Sequence, residues 1–293
     1  DSARCSRAWR PGLSSRRQAS RIAVRPVASS LSTGVKGRHG KDGDAERAPE
    51  ISILSGYWEL LCIPALLICH RLCYNLVGAL HAEGSADYAS LLLTGLDTQI
   101  PYVPAFVLPY VFTWGYAGVI AAYALYFRTY DHLLFRYFYI SFLLMTAVEC
   151  LLWLSFPAKI SIRSGPEVLV LHGWLGELTA IVYANATPWN VFPSAHVAFA
   201  YAAWVLSVYF AKREHRWLFL AIFALIALSV LFIRNHFLWD IAGSVLVVQL
   251  VYRAFFLPAY RRRLLHGLSG VAVGAICFAA AAVAALASLT IVP

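Results

Sequence analysis

A chain of 293 residues that is 60% hydrophobic and 13% charged, with mean hydropathy +0.65, is too apolar for a soluble protein of its length. Six cysteines fall without a CxxC or Cys/His spacing, which excludes a disulfide scaffold and a zinc module. The net charge of +9 is concentrated at the N-terminus, without interleaved aromatics and ahead of apolar runs, which argues against a nucleic-acid binder.

Residues 1–50 carry nine arginines and two lysines, with no acid between Asp1 and Asp42. No periodicity survives there, so the segment reads as a disordered basic tail on an anionic membrane surface, or as an organelle transit peptide. Spans are predicted at 57–80, 104–127, 134–156, 195–211, 217–234, 237–258 and 267–291. Glu59, His70 and Arg71 interrupt the first, which also admits an interfacial placement with Arg71 snorkelling to the headgroups. Cys69 and Cys73, one turn apart inside it, read as packing residues. The last span, rich in alanine and glycine, has the composition of a helix packed closely on a neighbour. The expected fold is an all-α polytopic transmembrane bundle: a tail (1–50), a core (51–264) and an extra C-terminal transmembrane helix (265–293).

The tail and the segments 127–136, 212–216 and 261–266 hold most of the basic residues, whereas 81–103 and 157–194 read as mixed or acidic loops. The positive-inside rule assigns the basic set to the cytosol, or to an organelle's matrix or stroma. His196 begins the fourth predicted span and His236 the sixth, so both fall on the non-cytosolic face. Asp97, Lys159 and Arg163 lie in loops on that face too.

Asp240 follows His236 by four residues, one helical turn. A carboxylate there can accept from Nδ1, fix the tautomer and leave Nε2 as a nucleophile or base. His196 follows Pro193 and Ser194, a helix N-terminus by its residue types, where backbone N–H groups favour an anion. Arg163, Arg234 and Lys159 are candidate countercharges. Two imidazoles, one of them activated, and a cationic cradle suit phosphoryl transfer through a phosphohistidine, with no metal and no cofactor. Each piece has a plainer reading: a polar pair joining helices, a helix cap, an interfacial arginine. Their gathering on one face favours a site, and that position at the boundary argues against a transporter, whose site lies at the midplane. His39, His70, His81, His132, His172, His215 and His266 lack such company and read as structural or loop residues. Asn185-Ala-Thr187 is a glycosylation sequon followed by Pro188.

At these residues the sequence resembles the type 2 phosphatidic acid phosphatase superfamily over roughly 90–250, nearest its branch of inositolphosphotransferases and sphingolipid headgroup synthases. "TPWNVFPSAHVAFAYAAW" (187–204), with Asn190, Ser194 and His196, is similar to the Pro-Ser-x-His segment of that branch. "RNHFLWDIAGS" (234–244) is similar to its His-x-x-x-Asp segment, and "LDTQIPYVPAFVLPY" (96–110), with Asp97, to the start of an early span. The resemblance implies a six-helix transmembrane core without metal. It makes His236 the nucleophile, Asp240 its orienting carboxylate and His196 the acid for the leaving group. The Ser-Arg pair of the phosphatases is replaced by Ser229-Val230, and Lys-x6-Arg-Pro by Lys159 and Arg163 at shorter spacing. Reduced countercharge fits a phosphodiester monoanion better than a monoester dianion. A phosphotransferase is therefore expected, taking a headgroup from a phospholipid donor to a lipid hydroxyl. The alternatives are a lipid phosphate phosphatase using water, and a non-catalytic membrane protein. A Golgi, endoplasmic reticulum or organelle membrane is the expected location.

Overall fold

The computed structural model describes residues 58–81 and 86–291, and the expectation for the 1–50 tail lies outside them. Eight principal helices follow one another: α1 (Cys62–Leu80), α2 (Val107–Tyr126), α3 (His132–Ser155), α4 (Gly173–Asn185), α5 (Ala195–Phe210), α6 (Arg216–Phe232), α7 (Leu238–Val251) and α8 (Gly270–Ile291). A 3-10 turn, Trp58–Leu61, precedes α1, and α7 runs on through a π turn, Tyr252–Phe256, into Leu257–Arg261. The helices begin where the residue types dictate. Pro104 opens the turn before α2 with its pre-set φ, and the Asp131 carboxylate caps α3 by accepting from Leu134 N at 3.0 Å. The chain is an integral multi-pass, all-α membrane protein, and among the described residues there is no strand, only an isolated bridge between Ala158 and Asn190.

Seven helical stretches among the described residues are long and apolar enough to cross a membrane, and they differ from the expected set at one place. Pro166–Asn185, expected to be loop, qualifies, whereas Ala195–Phe210, expected to span, has only 16 residues. The first of these is not a straight rod. Gly173 sits at φ 54°, a left-handed conformation that breaks the helix, and the Leu169 carbonyl is packed against Gly176. The unbroken part, α4, has 13 residues, or about 20 Å against a hydrocarbon core of about 30 Å. The Tyr102 hydroxyl, donating to Thr179 Oγ1 at 2.8 Å, pins α4 to the start of α2. At about 24 Å α5 is also short, but it is central: it packs against α2, α6 and α7 and buries Val197, Ala198 and Ala200 completely.

α8 packs on α1 and α3, burying Val273 and Cys277. Its glycines make this approach possible: a Cβ at Gly274 would come within 2.5 Å of the Trp58 ring. Arg136 donates to Glu59 Oε1 from Nη2 at 2.6 Å and to the Leu268 carbonyl from Nη1 at 2.9 Å. That part-buried ion pair ties the turn before α1, α3 and the segment leading into α8 together at the end of the bundle opposite His196 and His236.

Candidate active site

His236 and Asp240 meet, though not as two residues on one helical face. α7 starts at Leu238, so His236 lies in the preceding turn and Asp240 reaches back toward it. Asp240 Oδ2 takes the Phe237 backbone N–H at 2.8 Å and His236 Nδ1 at 3.0 Å. Nδ1 is also 3.0 Å from the Val191 carbonyl oxygen. Both neighbours of Nδ1 are acceptors, so the proton must sit there, and in the neutral ring Nε2 carries the lone pair. Asp240 is fully buried.

The turn that brings Val191 to the ring is held by the Trp153 indole N–H on the Pro193 carbonyl at 3.1 Å and by the Ser244 hydroxyl on the Ser194 carbonyl at 2.8 Å. The Phe192 ring packs against Gly243, where any Cβ would collide with it.

His196 is in the first turn of α5, its ring centroid 6.2 Å from that of His236. The ring stacks on Tyr110 at 4.1 Å and meets the Trp114 ring edge-on at 5.2 Å; its Nε2 is buried without a hydrogen-bond partner. Ser194 occupies the cap position of α5 but makes no capping bond, and its hydroxyl is buried unpartnered. Asn190 Nδ2 donates to the Tyr74 carbonyl at 2.6 Å and its Oδ1 is unpartnered. A cavity of about 250 Å³ lies before these groups, walled by His196, His236, Asn190, Tyr110 and Arg71 among others.

Of the expected cations, none lines this cavity. Lys159 is exposed, with Nζ over the Trp189 ring at 5.4 Å. Arg163 stands behind the wall, donating to Asn235 Oδ1 (2.9 Å) and to the carbonyls of Tyr183 (3.2 Å) and Ala186 (3.3 Å). Burial draws its pKa below the ordinary value, a cost those acceptors offset. Asn235 in turn donates to the Tyr110 hydroxyl at 2.8 Å, so a line of contacts runs from Arg163 through Asn235 and Tyr110 to the His196 ring. Arg234, half-buried at φ 55°, has an unpartnered Nε. Asp97 is committed elsewhere: Oδ2 takes the Thr94 N–H and hydroxyl (2.7 and 2.6 Å), and Oδ1 takes the Leu238 N–H of α7 at 2.8 Å. It positions the helix that follows His236.

The cation in the cavity wall is Arg71, with Nη2 on the Asn185 carbonyl at 2.6 Å and its guanidinium 5.5 Å from the Tyr74 ring centre. His70 and Tyr74, also from α1, complete that side.

A family model described as the PAP2 superfamily matches residues 94–254, more than half of the chain. The chain belongs to the PAP2 superfamily. Neither a curated protein nor a solved structure matches it. The PAP2 match contains His196, His236, Asp240, Glu149 and the residues that support them, but ends short of α1. His70 and Arg71 therefore come to the site from outside the family segment.

The same is true of one more contact. His70 Nδ1 lies 3.3 Å from Thr146 Oγ1 and 3.7 Å from Oε2 of Glu149, a fully buried carboxyl on α3 with no hydrogen-bond partner. The available signal was the presence of ionisable residues within predicted spans, where they are costly and so mark function. No group of three or more His, Cys, Asp or Glu side chains among the described residues has the geometry to hold a metal ion.

Proposed function

We propose that this PAP2 superfamily protein is a lipid phosphotransferase that moves a phospho-headgroup through a phosphohistidine, using a His/His/Asp triad. His236 Nε2 attacks the phosphorus of the donor lipid. The bond to the departing lipid oxygen breaks, and His196 supplies that oxygen with a proton. The Nδ1–H of His236 stays on Asp240 and Val191, which holds the ring in its attacking tautomer. An acceptor lipid hydroxyl then gives its proton to His196 and takes the phosphoryl group, freeing His236.

The observation that carries this reading is Nδ1 held by two acceptors while Nε2 remains for a cavity that a second imidazole also lines. Transfer is favoured over hydrolysis of a monoester by the charge of that cavity. Arg71 is its single permanent cation among the described residues, which suits a phosphodiester monoanion. The basic segments around Arg128, Lys212 and Arg261 lie at the far ends of the helices from His196 and His236, which supports a site on the non-cytosolic face. An inositolphosphotransferase-like role in a Golgi, endoplasmic reticulum or organelle membrane follows from the same reading.

The test is purified protein in detergent with EDTA, given a labelled phosphoinositide or phosphatidylcholine together with ceramide or diacylglycerol. Label is expected to move to the acceptor with ping-pong kinetics, and His236→Ala to abolish it while the protein stays folded. Dephosphorylation of phosphatidic acid with no movement of label would instead identify a phosphatase using water.

A further inference from the structure

Three cavities lie in series through the bundle. The site cavity shares His70, Trp114, Ala195 and His196 with a neck of about 20 Å³, which Glu149 also lines. The neck shares Leu67, Phe142, Met145 and Phe199 with a third cavity of about 120 Å³. That third space runs between α1, α2, α3, α5 and α7 and is walled almost wholly by apolar side chains, among them Ile63, Ala117, Ala203, Leu206 and Phe256. An apolar cavity of about 150 Å³ takes up a benzene molecule, so this one has room for several methylenes of an alkyl chain.

The neck joins a cavity lined by polar side chains to an apolar one and carries the carboxyl of Glu149, which is fully buried with neither oxygen hydrogen-bonded and has His70 Nδ1 at 3.7 Å from Oε2. An unsatisfied buried carboxyl is costly and calls for a donor. A hydroxyl whose chain occupies the apolar cavity would supply that donor, and a carboxyl accepts in either protonation state. His196 Nε2, equally without a partner, lines the same neck.

We propose that these linked cavities are the acceptor site: a long-chain alcohol lies with its alkyl tail in the apolar cavity and its hydroxyl in the neck against Glu149. This rests on the phosphotransferase reading and assigns its second substrate. The alcohol oxygen forms a bond to phosphorus as the bond from phosphorus to His236 Nε2 breaks. The electron pair of that bond returns to the imidazole, and the hydroxyl hydrogen, held on Glu149 before reaction, swings to His196 Nε2, which takes the proton as the oxygen–phosphorus bond forms.

The test uses the full chain in detergent with labelled phospholipid donor and a series of n-alkanols of increasing length, scoring transfer to alcohol against hydrolysis by water. The KM for the alkanol is expected to fall about fourfold per added methylene until the cavity is full. Ala203→Phe, and independently Ala117→Phe from a second helix of the wall, should abolish that dependence for the longer alkanols. Glu149→Ala should lower the ratio of transfer to hydrolysis at least tenfold, and Glu149→Gln, which keeps a carbonyl acceptor, should restore much of it. A protein that cleaves donor but has a KM indifferent to alkanol length, or a length dependence untouched by both phenylalanines, overturns the acceptor site alone. An unchanged ratio in Glu149→Ala does so as well. A protein that cleaves no donor overturns the phosphotransferase reading and this site with it.

Discussion

Replacing Asp240 with asparagine separates two jobs that a triad carboxylate usually performs together. It fixes the histidine tautomer, and it stabilises the positive charge that develops on the ring. In other His/Asp triads the asparagine substitution lowers turnover by about four orders of magnitude, mainly through the wrong tautomer. Here the Val191 carbonyl is as close to Nδ1 as Asp240 is, at 3.0 Å, and a carbonyl can only accept. The tautomer therefore survives the substitution, and only the charged character of one hydrogen bond is lost. Such a bond contributes about 1.5–3 kcal/mol, or roughly 10- to 150-fold in rate. Asp240→Asn should thus retain a measurable turnover, between about one-tenth and about 1/150 of the parent. The assay is donor cleavage at saturating lipid, with thermal unfolding in detergent to confirm that the fold is intact. A loss of four orders with the fold intact would refute the role given to Val191; a loss under threefold would refute the pairing with Asp240.

Arg71→Gln should raise the KM for the phospholipid donor by about 10- to 100-fold, with Arg71→Lys recovering part of the loss, since it removes the permanent cation of the cavity; donor titrations decide it. Asp97→Asn should lower stability by about 1–3 kcal/mol, because one of three N–H or O–H donors loses its acceptor at the start of α7, and thermal unfolding in detergent measures this. Arg234→Gly should stabilise the fold by up to about 1 kcal/mol, after allowing for the greater freedom of glycine in the unfolded chain, because Arg234 holds a left-handed φ of 55°. A lower unfolding temperature would exclude strain at that turn.

The all-α bundle was legible because apolar runs of membrane length leave few other structures possible. The pairing of His236 with Asp240 was legible from spacing, although the physical cause differs: the carboxylate caps the first turn of α7 and catches the ring from within the helix. The boundary between α4 and α5 was not legible. Residues 157–194 read as a loop and 195–211 as a span, and neither reading could register the helix of Pro166–Asn185 interrupted at the left-handed Gly173, or the packing that draws the shorter α5 into the centre. The cation was missed for another reason. Arg163 and Lys159 are near the motifs in sequence, but one is spent on carbonyls and the other lies on Trp189, while Arg71 arrives from a helix more than a hundred residues before His196.

That provenance of Arg71 separates the cation of the cavity from the histidines in the sequence. His236 and His196, the proposed nucleophile and proton donor, lie within the stretch matched to the PAP2 superfamily, whereas Arg71 in the cavity wall is encoded upstream of it. On the proposed reading, a change confined to Arg71 would alter how tightly the phosphate is held while leaving the two histidines as they are.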